Sequence, residues 1–200
     1  MYLKEASTIR TGLVTSRLTD FNEEALNSYK LLNLKCIAHH GYINTDFAEK
    51  ICSQKAPKPE FFTHLGDILI RLNVPYTIVL INKEEWINYL IPSHFAIIRT
   101  NKDILLPEYV LWFLKKEDTM QKILQNASNT SSFGTINSKF FGSLYIPNIS
   151  LQKQEAIGQF QILADREQEL LNKLLLRKQI YNKLMLNSIY KTIKHKEETK

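Results

Sequence analysis

The stretch "GDILIRLNVPYTIVLI", from Gly66 to Ile81, predicts two adjoining β-strands. Both of its apolar runs have the length of a strand, and Pro75 between them suits a bend. Similar apolar runs, bounded by Gly, Pro, Asn or Asp, recur through the chain before residue 150. Strands are therefore predicted over Asp67 to Leu72, Tyr76 to Ile81, His94 to Thr100 and Ser143 to Asn148.

Two helices are predicted among these strands. Phe21 to Leu34 has a weak helical pattern, and Pro107 to Gln125 has a firmer one in which Pro107 suits the first helical turn. Strands and helices together predict an α+β fold class, with a mixed domain over residues 1–149.

From Ser150 onwards the composition changes, and the sequence predicts one long helix. The stretch to about Lys194 contains no Pro and only Gly158, and apolar residues recur at three- and four-residue steps, as in coiled coils. Roughly 44 residues at about 1.5 Å each give about 65 Å, more than a domain of this size can cover. Residues 150–200 are therefore predicted to pair with a partner helix; the alternative is a helix that folds back near Arg166 or Asn172.

The composition indicates a folded, basic protein. Of 200 residues, 44% are hydrophobic, and 26 Lys and Arg against 20 Asp and Glu give a formal net charge of +6. Such a charge attracts polyanions. Cys36 and Cys52 form no CxxC pair and no His cluster accompanies them, so no disulfide, metal site or cofactor is expected. No signal-peptide pattern and no bilayer-length apolar run occur, which favours a cytoplasmic protein without a membrane partner.

No catalytic motif is predicted. Asn73 to Tyr76 reads Asn-Val-Pro-Tyr, one residue from the Asn-Pro-Pro-Tyr loop with which DNA amino-methyltransferases hold a target base. The cofactor turn that such an enzyme also needs is missing, because no G-x-G occurs in the chain. H-E-x-x-H, G-x-S-x-G and Walker patterns are also missing. Asn73 to Tyr76 is therefore interpreted as a bend between two strands.

Candidate DNA-binding side chains lie in three polar loops and beside them. Lysine and arginine contact phosphates, and Asn, Gln, His, Ser and Thr contact phosphates or base edges. An alternative is that these are polar loops without a ligand. The candidates are Lys35, His39, His40, Asn44, Gln54, Lys55, Lys58, Arg71, Thr130, Ser132 and Lys139.

The stretch from Thr130 to Phe160, "TSSFGTINSKFFGSLYIPNISLQKQEAIGQF", resembles the junction in specificity (S) subunits of type I restriction-modification systems. In that family a Gly-containing loop and an I-N-x-x-x-F segment lead into I-P-x-x-x-x-x-Q-x-x-I and a long helix. "HLGDILIRLN" and "LLPEYVLWFL" also resemble family segments, and the order of these pieces carries the resemblance. The matching junction positions are Gly134, Ile136, Asn137, Phe141, Ile146, Pro147, Gln154 and Ile157.

This resemblance implies a non-catalytic subunit that binds a bipartite site in double-stranded DNA. It would direct methylation subunits to that site and, through them, restriction subunits. Family members usually hold two target-recognition domains and two paired helices, so this chain is similar to half of one. The rival hypothesis is a coiled-coil interaction protein whose basic face is incidental.

A half-subunit is expected to pair with a second copy through one stripe of its helix. The proposed pairing residues are Phe160, Leu163, Leu170, Leu171, Leu174, Tyr181 and Leu184.

Overall fold

The computed structural model describes residues 1–18, 27–37, 41–128 and 134–198. Its contacts divide the chain into two units, Met1–Ile162 and Leu163–Lys200. The first unit contains strands and helices, and the described part of the second is helix, which confirms the predicted α+β fold with a long C-terminal helix.

Strands and helices alternate irregularly along the chain. The described strands are β1 (Ser7–Thr11), β2 (Asn27–Leu31), β3 (Glu49–Ser53), β4 (Ile68–Arg71), β5 (Ile78–Leu80) and β6 (Phe95–Thr100). The described α-helices are α1 (Pro107–Lys115), α2 (Glu117–Ser128), α3 (Ser138–Gly142) and α4 (Leu151–Glu198). Three of the four predicted strands appear, as β4, β5 and β6.

The main sheet has the order β1-β6-β4-β5, with each neighbouring pair antiparallel. Side chains alternate across it, so Ile68 and Ile70 of β4 join one buried cluster and Leu69 joins another. Tyr109 of α1 covers the first face, and Trp86 packs on the second. Both faces are therefore buried at β4, β5 and β6, which explains why these strands are mostly apolar, whereas the edge strand β1 (STIRT) is partly exposed.

A separate antiparallel ribbon is formed by β2 and β3. Leu31 and Ile51 bury their side chains in a third cluster with Leu90. The backbone N–H of Leu90 donates to the Lys30 carbonyl at 2.7 Å, and the N–H of Leu32 donates to the Leu90 carbonyl at 2.9 Å. These bonds tie the ribbon to the segment that precedes β6.

Two of the predicted elements are wrong in their described parts. The helix predicted over Phe21 to Leu34 is replaced at Asn27–Leu31 by β2, because pairing with β3 overrides a weak helical pattern; residues 21–26 lie outside the described residues. The strand predicted over Ser143 to Asn148 makes only an isolated bridge, from Tyr145 to Tyr2. Buried and exposed residues do alternate along it, but no strand of the described residues pairs with it beyond this bridge.

The helix predicted over Pro107 to Gln125 is two helices. Lys116 separates them with an extended backbone (φ −59°, ψ 137°), and its carbonyl accepts from Thr119 N at 3.0 Å. The break lets α1 and α2 each place an apolar side in the same core cluster.

The first turns of α4 pack closely against the start of α1. Gln154 is buried; its Nε2 donates to the carbonyls of Ile104 at 3.0 Å and Ile149 at 2.9 Å, and its Oε1 accepts from Leu106 N at 2.9 Å. One turn later, a Cβ on Gly158 would lie 2.5 Å from the Cβ of Glu108. Gly158 is therefore required by close approach of the two helices.

The second unit is the continuation of α4. Its described apolar side chains are largely exposed, including those of the predicted pairing stripe from Leu163 to Leu184. Glu169 bonds Arg166 at 2.6 Å and also bonds Lys173. Burial raises the pKa of Glu169, but the hydrogen bonds from Lys173 and Arg166 outweigh it and lower the pKa overall. This carboxylate therefore supports its own helical turn.

Gly158→Ala is expected to lower the melting temperature. A helical Gly→Ala change gains about 1 kcal/mol of propensity, but overpacking against backbone costs about 1–3 kcal/mol and should exceed it. Melting can be followed by the fluorescence of the chain's tryptophans, Trp86 and Trp112, both in the first unit. Gln159→Ala, at an exposed neighbour, is the control and should not lower the melting temperature. A Gly158→Ala protein at least as stable as the wild type would contradict the close packing.

Candidate nucleic-acid interface

Most of the predicted DNA-binding residues that the structure describes lie at the two ends of the β2–β3 ribbon. Asn27 lies opposite Ser53, and Leu31 lies opposite Glu49. The connection of residues 32–48 therefore closes one end, and the segment after Ser53 leaves from the other. Lys35 and Asn44 belong to the first end, whereas Gln54 and Lys55 belong to the second.

Side-chain caps shape the first end. The Oδ1 of Asn33 accepts from Lys35 N at 2.9 Å and Cys36 N at 3.1 Å, and its Nδ2 donates to Glu49 Oε1 at 2.8 Å. Lys35 is exposed on this turn. The side-chain oxygen of Asn44 accepts from Asp46 N at 3.0 Å, so at least this atom of Asn44 serves the turn itself.

The second end is a tight turn that displays polar side chains. Ser53 Oγ donates to the Lys55 carbonyl at 3.0 Å, and Lys55 N donates back to that hydroxyl at 3.2 Å. Gln54, Lys55 and Lys58 are exposed, and Lys58 precedes a short 3₁₀ turn at Pro59–Phe61.

Arg71 and Lys139 lie elsewhere, at one end of the main sheet. Arg71 ends β4 opposite Phe95, and Lys139 follows Ser138, whose hydroxyl is 2.9 Å from that of Thr11 at the end of β1. The guanidinium of Arg71 donates to the Val74 carbonyl at 3.1 Å, and its Nε is buried without a partner among the described residues. Arg71 thus supports its own loop, whereas Lys139 is exposed.

The remaining predicted residues are not described. His39, His40, Thr130 and Ser132 lie outside the described residues. The structure therefore places the other seven in two groups, five around the ribbon and two at the sheet end.

Sequence reasoning missed Lys30 and Lys50. They lie directly opposite each other on β2 and β3, and both are exposed. Lys30 Nζ also lies 5.7 Å from the centre of the Tyr89 ring. The period-two alternation of "NSYKL" was a signal for this arrangement, but the predicted helix over Phe21 to Leu34 concealed it.

The ribbon lysines differ from two arginines of the first unit, which are paired with carboxylates. Arg99 is paired with Asp67 at 2.8 Å, and Arg10 is paired with Glu60 at 2.8 Å. No lysine in or beside the ribbon has a carboxylate of the described residues within ion-pair distance. The lysines in question are Lys30, Lys35, Lys50, Lys55 and Lys58. Their charge is therefore available to an external anion.

The two thiols differ in environment. Cys36 is buried, and burial raises the pKa of its thiol, whereas Cys52 is exposed on β3. Within the described ranges, no group of three or more His, Cys, Asp and Glu side chains could hold a metal ion. No helix in that part of the chain is both long and apolar enough to cross a membrane.

Comparison with known proteins finds solved structures with a similar fold. No family model matches the sequence, and no curated protein matches it. A chain from a structure on complex assembly and conformational transition of the type I restriction-modification system matches with a TM-score of 0.63 and 17% identity. The HsdS subunit from Thermoanaerobacter tengcongensis matches with a TM-score of 0.60 and 18% identity. Each match covers 86% of this chain.

The chain has the fold of part of an HsdS subunit. It spans 43% of the length of each of these two structures. At this level of identity the likeness shows the fold, and it agrees with the resemblance seen in the junction sequence from Thr130 to Phe160.

Proposed function

We propose that this chain is a non-catalytic, sequence-specific DNA-binding subunit of the type I restriction-modification kind. Residues 1–149 would recognise duplex DNA, and residues 150–200 would form the spacer and pairing helix. The observation that carries the proposal is the HsdS fold over 86% of the chain. The chain would act in the cytoplasm, with its DNA and its partner subunits.

Electrostatics support DNA as the ligand. The net charge of the chain is +6. The lysines of the ribbon contribute to it, and they have no carboxylate partner among the described residues. Duplex DNA presents phosphates along both strands, and each neutralised phosphate releases counterions. The predicted contacts are Lys35, Lys55 and Lys58 to phosphates, with Asn44, Gln54, Arg71, Lys139 and the undescribed His39, His40, Thr130 and Ser132 as further candidates.

The exposed helix supports pairing with a second copy. Leu170, Leu174 and Tyr181 recur at steps of four and seven residues and are 50%, 62% and 60% exposed. An antiparallel pair of identical helices has a two-fold axis and would cover both stripes. The two recognition domains would then read an inverted repeat of two half-sites around a spacer.

Apolar residues on another side of α4 support a further partner. Leu176 is two residues from Leu174, about 200° around the helix, and Leu176 and Ile180 are both exposed. One partner helix covers one side only. The other apolar side would bind methylation subunits, which hold the catalytic chemistry and recruit restriction subunits.

Selection from random-sequence duplex DNA tests the DNA-binding function. The purified chain should enrich a bipartite inverted repeat, and binding should weaken as salt rises. Lys35→Ala, Lys55→Ala and Lys58→Ala should each lower the salt slope by about one unit and weaken binding to all sequences alike.

Lys122→Ala, an exposed lysine of α2, is the control for charge and should leave the slope unchanged. Absence of any enriched sequence would favour the coiled-coil interaction protein instead. Unchanged binding by all three ribbon variants would reject their assignment to phosphates.

Leu170→Glu with Leu174→Glu should abolish pairing, because it places like charges in the proposed seam. Sedimentation at micromolar concentration should show a wild-type dimer and a folded monomeric variant that binds DNA weakly. Gln168→Glu with Gln179→Glu adds the same charge outside the seam and should leave the dimer intact. A monomeric wild type, or a double variant that still dimerises, would refute the two-fold pairing.

A further inference from the structure

The β2–β3 ribbon has an inner face that packs on the core and an outer face whose side chains are exposed, with Lys30 lying beside the Tyr89 ring. In an antiparallel pair, directly opposite residues share a face and successive residues alternate. Leu31 and Ile51 are buried on the inner face. The outer face carries Ser28 opposite Cys52 and Lys30 opposite Lys50, all four exposed.

The outer face is basic. Like charges directly opposite each other destabilise a ribbon, and Lys30 and Lys50 are such a pair. No acidic side chain stands on this face within β2 and β3, since Glu49 lies opposite Leu31 and is bonded by Asn33. Glu85 lines the same cavity as Ser28 and Lys30, but it is paired with Lys83 at 3.8 Å. The electrostatic repulsion between the ammonium groups of Lys30 and Lys50 is offset when both bind acceptors on a polyanion.

Among the described residues, the free edge of the ribbon is β3, because the Leu90 segment bonds to the other edge of β2. Two strands lie about 4.8 Å apart, and the major groove of B-DNA is about 12 Å wide and admits a two-stranded ribbon, so β3 can lead into the groove. Lysine donates to O6 and N7 of guanine on the floor of that groove. Lys35 at one end of the ribbon and Lys55 at the other are placed to meet the flanking phosphates.

We propose that the β2–β3 ribbon enters the major groove with its outer face toward the bases, Lys30 and Lys50 each reading a guanine edge. This inference rests on the proposed function and names the element that carries it out. Ser28 and Cys52 lie on the same face and are covered when DNA binds.

Cys52 gives a direct test with the native chain. A maleimide should label Cys52 in the free protein and spare Cys36, since Cys36 is buried. With the selected duplex at about 100 times its Kd, labelling of Cys52 should slow by about 100-fold, because only the free chain remains reactive. Full reactivity of Cys52 while the duplex is bound would overturn the proposal.

Base preference gives a second test. Repeating the selection with Lys30→Ala and with Lys50→Ala should relax preference for guanine at one position per half-site in each case, by about 5- to 150-fold. Lys122→Ala should select the wild-type sequence. Melting temperatures equal to that of the wild type would show that the variants are folded.

Failure of this proposal can be told from failure of the proposed function. If the wild-type chain enriches no sequence, the DNA-binding function fails and the ribbon's role falls with it. If the chain selects a site, yet Cys52 stays reactive or both lysine variants select the same bases, only the ribbon's placement is wrong.

Discussion

Burial of both faces of the four-stranded sheet is the constraint on which the rest of the first unit depends. Ile68 and Ile70 belong to the cluster that α1 covers, and Leu69 between them belongs to the opposite cluster. A one-residue slip in β4 would exchange these sets. The second face is covered mainly by connecting segments, and the β2–β3 ribbon packs in a separate cluster with Leu90 of one of these segments. The outer side of the ribbon is exposed to solvent or a ligand.

The parts of this fold that sequence predicts well are those set by local pattern. Ile68 to Leu80 shows two apolar runs around Pro75, and α4 shows a long stretch without Pro. The ribbon could not be predicted in this way, because β2 and β3 are separated by residues 32–48 and their pairing is non-local. The Lys30–Lys50 juxtaposition depends entirely on that register. For Arg71, likewise, only the structure shows that the guanidinium of this predicted DNA-binding residue donates to the Val74 carbonyl.

Gly158 and Gln154 of α4 are also explained by contacts with a distant part of the chain, the start of α1. Gly158 weakens a helix locally, yet it sits where the Glu108 backbone leaves no room for a side chain. Gln154 is polar and buried, and it satisfies a backbone N–H and two carbonyls around the start of α1. In the sequence, Gln154 was a matching position of the family-like junction and Gly158 was the one glycine of the predicted helix, but only the packing gives their physical reason.

Footprinting on the selected duplex tests the central claim most directly, because it reports where the chain sits and with what symmetry. Hydroxyl-radical cleavage in the presence of the wild-type chain should reveal two short protected stretches related by a two-fold axis, with an unprotected spacer between them. Uniform cleavage, or protection that does not depend on the selected sequence, would contradict the claim that this chain is a DNA-reading specificity subunit.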